Sequence, residues 1–249
     1  MPFHKSNDSG SSGGGHFATT HWSIILAAGS PESSRYSEAL EVLCQTYWFP
    51  LYAYLRRRGY DTHLAEDYTQ AFFAQMLEKQ YLRNVKPAPG RFRSFLLTAL
   101  KRFIADQHDR TQAVKRGGGR KLLSLDIDAA ESRYGLEPVS KLSPEKVFEK
   151  SWALTVLEKA MLRIETEFTD SDKQGLFDRL SVYLAGKTDA IAYRDVAIEL
   201  DMTEDAVKSA VYRLRKRYRE ILRDEIAQTV SSSDQIDEEI RGLFTALAY

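Results

Sequence analysis

Apolar and aromatic side chains recur three or four positions apart along most of this chain, and this helical period is the feature that most limits its fold. The alternating period of a half-buried strand is rare among the 249 residues. We therefore predict an all-α protein. Hydrophobic residues make up 43% of the sequence, which is enough for packed cores and excludes a wholly disordered chain.

The helical patterns fall into two groups. Three patterns precede residue 111, and two prolines and a glycine in "RNVKPAPGRFR" separate the second from the third. Later patterns begin at Ser143 and Pro144, which suit an N-cap and the first helical position. We predict a disordered Ser/Gly-rich tail over residues 1–15, then two helical domains over 16–110 and 143–225. A flexible linker over 111–142 joins them, and an acidic extension covers 226–249.

The stretch "YRDVAIELDMTEDAVKSAVYRLRKRYREIL", residues 193–222, has the pattern of a helix-turn-helix. Val196 and Ala197 suit the buried side of the first helix, and Thr203 suits the N-cap of the second. Seven cations follow on the second helix: Lys208, Arg213, Arg215, Lys216, Arg217, Arg219 and Arg223. This pattern favours DNA binding, although a basic face that is merely solvated remains the alternative.

A second basic block, residues 91–121, carries nine Lys/Arg against two Asp and places phenylalanines among the cations. Cations bind phosphates and aromatic rings stack on unpaired bases, so this mixture suits single-stranded or melted DNA. The alternative is that Phe95 and Phe103 belong to the core and the cations are solvated. Two modules suited to nucleic acid indicate a protein that contacts two DNA sites at once.

The order of these segments resembles that of an extracytoplasmic-function (ECF) sigma factor of bacterial RNA polymerase. "HLAEDYTQAFFAQMLEK", "GRFRSFLLTALKRFIADQHDR" and "AYRDVAIELDMTEDAVKSAVYRLRKRYREIL" are similar to the family's core-binding helix, its promoter-melting helix and its sigma domain four. The flanks "HFATTHWSIILAAG" and "LRDEIAQTVSSSDQIDEEIRGLF" resemble a subgroup frequent in planctomycetes. The resemblance implies that 16–110 is sigma domain two and 143–225 is sigma domain four.

The resemblance also assigns roles to individual residues. It implies contacts with core polymerase by Asp67, Tyr68, Gln70, Phe73 and Met76. It implies contacts with the minus-ten element by Asn84, Lys86, Arg91, Arg93, Lys101 and Arg102. It implies contacts with the minus-thirty-five element by Thr203, Lys208, Ser209, Tyr212, Arg213 and Lys216. The family usually has an acid where this sequence has Ala71.

The partners expected from this interpretation are core RNA polymerase and promoter DNA, with a free protein that is monomeric and cytoplasmic. The 35 basic and 35 acidic residues cancel, which suits a protein that binds DNA only when polymerase aligns its two modules. Two regulators remain open: a separate anti-sigma factor, or a kinase acting on the Ser/Thr-rich ends. A stand-alone helix-turn-helix regulator is the alternative function.

The chemistry of enzymes and cofactors has little support in the sequence. No phosphate-binding loop is found, and the histidines lack metal-ligand spacing. The single cysteine, Cys44, excludes an internal disulfide and lies among apolar neighbours, so we expect a buried thiol. We therefore expect no catalytic residues, no cofactor, no metal and no membrane span.

The acidic extension could mask the basic helix in the free protein; a solvated terminal helix is the alternative.

Overall fold

A computed structural model describes residues 28, 32, 34, 36–78, 92–113, 126–136, 142–184, 191–228, 230 and 232–248. These residues form α-helices and one short 3-10 turn at Ser181–Tyr183, and none of them lies in a strand, so the all-α prediction is confirmed. The helices are α1 Tyr36–Arg57, α2 Thr62–Glu78, α3 Phe92–Ala113, α4 Ile127–Leu136, α5 Pro144–Asp170, α6 Gln174–Leu180, α7 Tyr193–Glu199, α8 Glu204–Ala227 and α9 Asp234–Leu247.

Helix α1 is the apolar element of the N-terminal half. From Phe49 to Leu55 every side chain is buried, so this part of α1 is surrounded on all sides rather than amphipathic. The helix contains Pro50, which has no amide hydrogen to continue the ladder. It ends in a turn at Gly59, whose φ of 94° is accessible to glycine at little cost.

Helix α5 is the central element. Its start agrees with the sequence: the Ser143 hydroxyl accepts a hydrogen bond from the amide of Lys146, and Pro144 occupies the first turn. One side of α5 packs on α1, and other positions along it contact α6, α8 and α9. Buried residues of all these helices form a single continuous core among the described residues. The predicted halves of the chain therefore pack directly on each other through α1 and α5.

The segment predicted to be a structureless linker contains helix α4. The Asp126 side chain accepts a hydrogen bond from the amide of Ala129 at 2.9 Å and so caps its first turn. Ala130 is buried, and Glu131 binds Tyr52 and Arg56 of α1. The expectation of a linker without fixed structure is therefore wrong for residues 126–136, because this helix docks on α1.

Two smaller expectations can also be compared with the structure. Cys44 is buried, as predicted, and burial raises the pKa of its thiol to about 11. None of the described helices is both long enough and apolar enough to cross a membrane. The predicted tail, residues 1–15, lies outside the described residues.

Candidate DNA-binding surface

Helices α7 and α8 are joined by a tight turn that backbone hydrogen bonds hold in place. The amide of Leu200 donates to the carbonyl of Val196, and the amide of Met202 donates to that of Ala197 at 2.9 Å. Asp201 has a φ of 49°, a left-handed conformation that aspartate tolerates better than most residues. Thr203 then caps α8, because its hydroxyl accepts a hydrogen bond from the amide of Ala206 at 3.2 Å.

The crossing of α7 over α8 is held by small and β-branched side chains. Val196 and Val207 have no exposed surface, and Ala197 is buried between the two helices' core-facing sides. Val211 and Leu214 continue the buried stripe along α8. This packing fixes α8 and leaves its other faces at the surface, as a helix-turn-helix requires.

Four of the seven cations on α8 are held by groups of the protein itself. Arg215 donates two hydrogen bonds to the carbonyl of Tyr183, at 3.1 and 3.0 Å. Arg217 forms a bidentate pair with Glu167 on α5. The remaining two are Arg223, which pairs with Asp237, and Lys208, which pairs with Glu204 and Asp205 of its own helix.

The other three cations, Arg213, Lys216 and Arg219, are exposed and have no ion pair or hydrogen bond with any residue that the structure describes. Tyr212 lies beside them and is 67% exposed, which is unusual for so large a ring. Unpaired cations next to an exposed aromatic side chain are the groups that bind phosphates and base edges.

The six residues predicted to contact the minus-thirty-five element are all exposed in the structure. Ser209, Tyr212, Arg213 and Lys216 follow a spacing of three, one and three, so they share one face of α8. Thr203 uses its hydroxyl oxygen for the cap. Hydrogen bonds from Lys208 to Glu204 raise the pKa of Lys208 and keep it cationic.

The minus-ten set is divided by the structure. Asn84, Lys86 and Arg91 lie outside the described residues. Lys101 and Arg102 are exposed on α3, and Lys101 Nζ lies 2.7 Å from Glu145, whose pKa the hydrogen bond from Lys101 lowers.

Arg93 differs, and the expectation that it contacts DNA is incompatible with this arrangement. Its side chain is 2% exposed, because it is enclosed by α5 and α9 and bound to Glu239. A cation with its carboxylate partner at 2.7 Å and no access to solvent cannot reach a phosphate unless those helices move.

The predicted polymerase-binding residues lie on two sides of α2. Asp67 is exposed and Tyr68 is half-buried. Gln70, Phe73 and Met76 are 7%, 1% and 3% exposed, so they belong to the core and not to a docking surface. The physical reason is that α2 packs on α1 and α3, and its apolar stripe serves those contacts.

The outer face of α2 contains one predicted contact, Asp67, together with His63 and Ala71, which were not predicted as contacts. His63, Asp67 and Ala71 are exposed at steps of four, which places them in one row. Their exposure could not be inferred from the sequence, because Phe72 and Phe73 give α2 apolar residues in two directions. A cavity of about 70 Å³ between α2 and α3 was also missed; its walls include Phe72, Phe103, Arg102 and Asp106.

Comparison of the chain with protein-family models, with curated proteins and with solved structures finds no match. In the part of the chain that the structure describes, no group of three His, Cys, Asp or Glu side chains is placed to hold a metal ion. The exposed cations of α8 and α3 are therefore the groups from which a function can be argued.

Proposed function

We propose that this protein is a sigma factor that binds core RNA polymerase and directs transcription initiation at promoters with minus-ten and minus-thirty-five elements. The observation that carries the proposal is the set of unpaired cations on α8, Arg213, Lys216 and Arg219, beside the exposed ring of Tyr212. Four other cations of α8 pair with groups of the protein, whereas these three have no partner among the described residues. We propose no catalytic activity and no cofactor.

The proposal includes two functional modules on one chain. Residues 16–110 would be sigma domain two, with Lys101 and Arg102 of α3 directed at the minus-ten element. Residues 143–225 would be sigma domain four, with α8 in the major groove of the minus-thirty-five element. Residues 111–142 would join them, and polymerase would align the two modules on the promoter so that two weak contacts act together.

The contact with polymerase is proposed for the outer row of α2. Asp67 supplies a carboxylate there, and Ala71 supplies a small apolar position where the family usually has an acid. Tyr68 is half-buried, and its ring packs on Tyr60 and Phe103. It therefore supports the exposed row of α2 from the core side. An interface of this kind joins a few polar anchors to an apolar patch.

Transcription in vitro tests the proposal. The full chain is added to core RNA polymerase with a pool of genomic promoter fragments, and RNA 5′ ends are sequenced. New start sites that require the protein and share two spaced upstream elements would support a sigma factor. Asp67→Arg should abolish those starts without unfolding the chain, whereas Asp170→Arg, at the exposed C-terminal end of α5, serves as a charge-matched control.

A stand-alone helix-turn-helix regulator is the second candidate. The burial of Gln70, Phe73 and Met76 favours it, because it removes three of the expected polymerase contacts from the surface. Gel filtration with core polymerase separates the two candidates. A sigma factor elutes as a monomer alone and moves to the polymerase fraction in the mixture, whereas a regulator binds DNA without polymerase.

A further inference from the structure

Three distant segments meet at the guanidinium of Arg93 on α3. Its Nε lies 2.7 Å from Glu239 Oε1, and Nη2 donates to Oε2 at 3.2 Å, so the pair with α9 is bidentate. Nη1 pairs with Glu149 of α5, and the guanidinium lies 4.2 Å from the centroid of the Trp152 ring. The Arg93 and Glu239 side chains are only 2% and 3% exposed.

Helix α9 is otherwise attached by its apolar face, in which Ile240 and Leu247 also pack on the core. Ile236, Leu243 and Ala246 are buried against α5 and α8, while Phe244 remains 57% exposed. At the surface, the Asp237 carboxylate of α9 pairs with the guanidinium of Arg223, near the C-terminal end of α8. The exposed cations of α8 that face away, such as Arg213, are not covered. The acidic extension therefore engages α3, α5 and the C-terminal part of α8, where Asp237 pairs with Arg223 and Phe244 lies in the same cavity as Arg219.

The energetics of the Arg93–Glu239 pair suit a contact that opens. Burial removes two charges from water, and this desolvation cost offsets most of the attraction between them. Both charges recover their hydration when α9 departs, so the pair selects where α9 docks more than it strengthens the docking. Removing the carboxylate alone is different, because Arg93 would then remain buried with only Glu149 to compensate its charge.

We propose that α9 is an intramolecular latch: its Glu239 holds Arg93 in a closed state, and release of α9 as a unit opens the Glu239 side of that guanidinium to a nucleic-acid phosphate, while Glu149 and Trp152 of α5 still contact it. The latch is inferred from the buried pair that joins α9 to α3. Its consequence for promoter binding rests on the proposed function, because the resemblance assigns Arg93 to the minus-ten segment. In the closed state the same guanidinium cannot serve both α9 and DNA.

Distance measurement on the full chain tests the latch without polymerase. Thr98 on α3 and Thr245 on α9 are exposed, and each hydroxyl bonds only to a carbonyl four residues earlier in its own helix. Cysteines at these two positions can be spin-labelled selectively, since Cys44 is buried. Double electron–electron resonance then reports the separation of α3 and α9.

Three variants of the labelled chain decide the outcome. We expect a single short distance in the parent and in Asp234→Asn, which neutralises an exposed carboxylate at the start of α9 that bonds to the neighbouring Ser232 and Ser233. Glu239→Gln should give a longer and broader distribution, with amide exchange in α9 at least about tenfold faster. Arg93→Met combined with Glu239→Leu should restore the short distance, because it leaves no buried charge unpaired. A parent-like distribution in Glu239→Gln would overturn the proposal.

Amide exchange of the unsubstituted chain is a second, independent test of whether α9 opens by itself. The amides of α9 should exchange together, through an opening that leaves α5 protected. Exchange of α9 only together with α5, or loss of all helical signal in Glu239→Gln, would show that α9 is part of the global core and would overturn the latch. Transcription assays of the same variants come last. A confirmed opening without promoter-dependent starts would refute the sigma function while leaving the latch intact.

Discussion

Replacing Glu131 with alanine should weaken the docking of α4 on α1 while leaving the rest of the protein folded. Arg133 and the buried Ala130 also hold this helix, but the Glu131 carboxylate makes its hydrogen bonds to α1. Its Oε1 accepts a hydrogen bond from the Tyr52 hydroxyl at 2.5 Å and from Arg56 Nε at 2.7 Å, and its Oε2 accepts one from Arg56 Nη2 at 3.0 Å. No comparable anchor is needed if residues 126–136 are a flexible strap, so the substitution tests the docking itself.

The magnitude follows from the surroundings of each bond. Tyr52 has no exposed surface, and leaving its hydroxyl without an acceptor costs about 1–2 kcal/mol. The Arg56 and Glu131 side chains are 20% and 31% exposed, so solvent screening limits their ion pair to about 1 kcal/mol. The docking free energy of α4 should therefore fall by about 2–3 kcal/mol, which is roughly a 30- to 150-fold rise in amide exchange.

Hydrogen exchange resolved along the chain is the assay, with Ser132→Ala as the control. Ser132 is exposed on the same helix, and its replacement should change exchange by about twofold at most. Tyr52→Phe completes a double-mutant cycle and isolates the hydroxyl's share of the loss. If Glu131→Ala changed the exchange of residues 129–134 no more than Ser132→Ala does, the proposed docking of α4 would be refuted.

Three further outcomes are expected. Thr203→Ala should lower the free energy of unfolding by about 1 kcal/mol through loss of the α8 cap, and Thr203→Ser should recover it; equal denaturation midpoints would contradict this. Hydrogen bonds from Arg217 lower the pKa of Glu167 below 4.5, so this carboxylate stabilises the fold above pH 4.5 and loses that effect as pH falls through the lowered pKa. Glu167→Gln should accordingly be destabilised by up to about 1 kcal/mol at pH 7, with a difference from the parent that shrinks in acid denaturation series. Arg213→Ala should reduce the salt slope of promoter binding by roughly 0.9, whereas Arg217→Ala should lower stability and leave the slope unchanged.

Helix positions were predictable because their signals are local. Residues three and four apart define the buried stripe of α8, and a serine followed by proline marks the start of α5. The turn between α7 and α8 was predictable for the same reason, since Thr203 caps its own helix. The exposed row of Ser209, Tyr212 and Arg213 follows directly once that stripe is known.

Tertiary contacts were not predictable, because each depends on side chains far apart in the sequence. Arg93 and Glu239 are separated by 146 positions, and nothing near either residue distinguishes it from a surface charge. Arg215 looked available for DNA, but its acceptor is the backbone carbonyl of Tyr183, which no sequence pattern marks. Phe73 gave an apolar position on α2, and only the packing of α1 and α3 determines that it faces inward.

The partnership of α1 with α5 also has a consequence for synthesis of the chain. The apolar surface of α1 is complete when Arg57 leaves the ribosome, but its main partner begins only at Pro144. At roughly 5–20 residues per second, the nascent chain waits about 4–17 s for that partner. During this interval α2, α3 and finally α4 are the described helices that can cover α1. Translational pausing after residue 113 should therefore increase aggregation, and co-expression of residues 142–248 should relieve it.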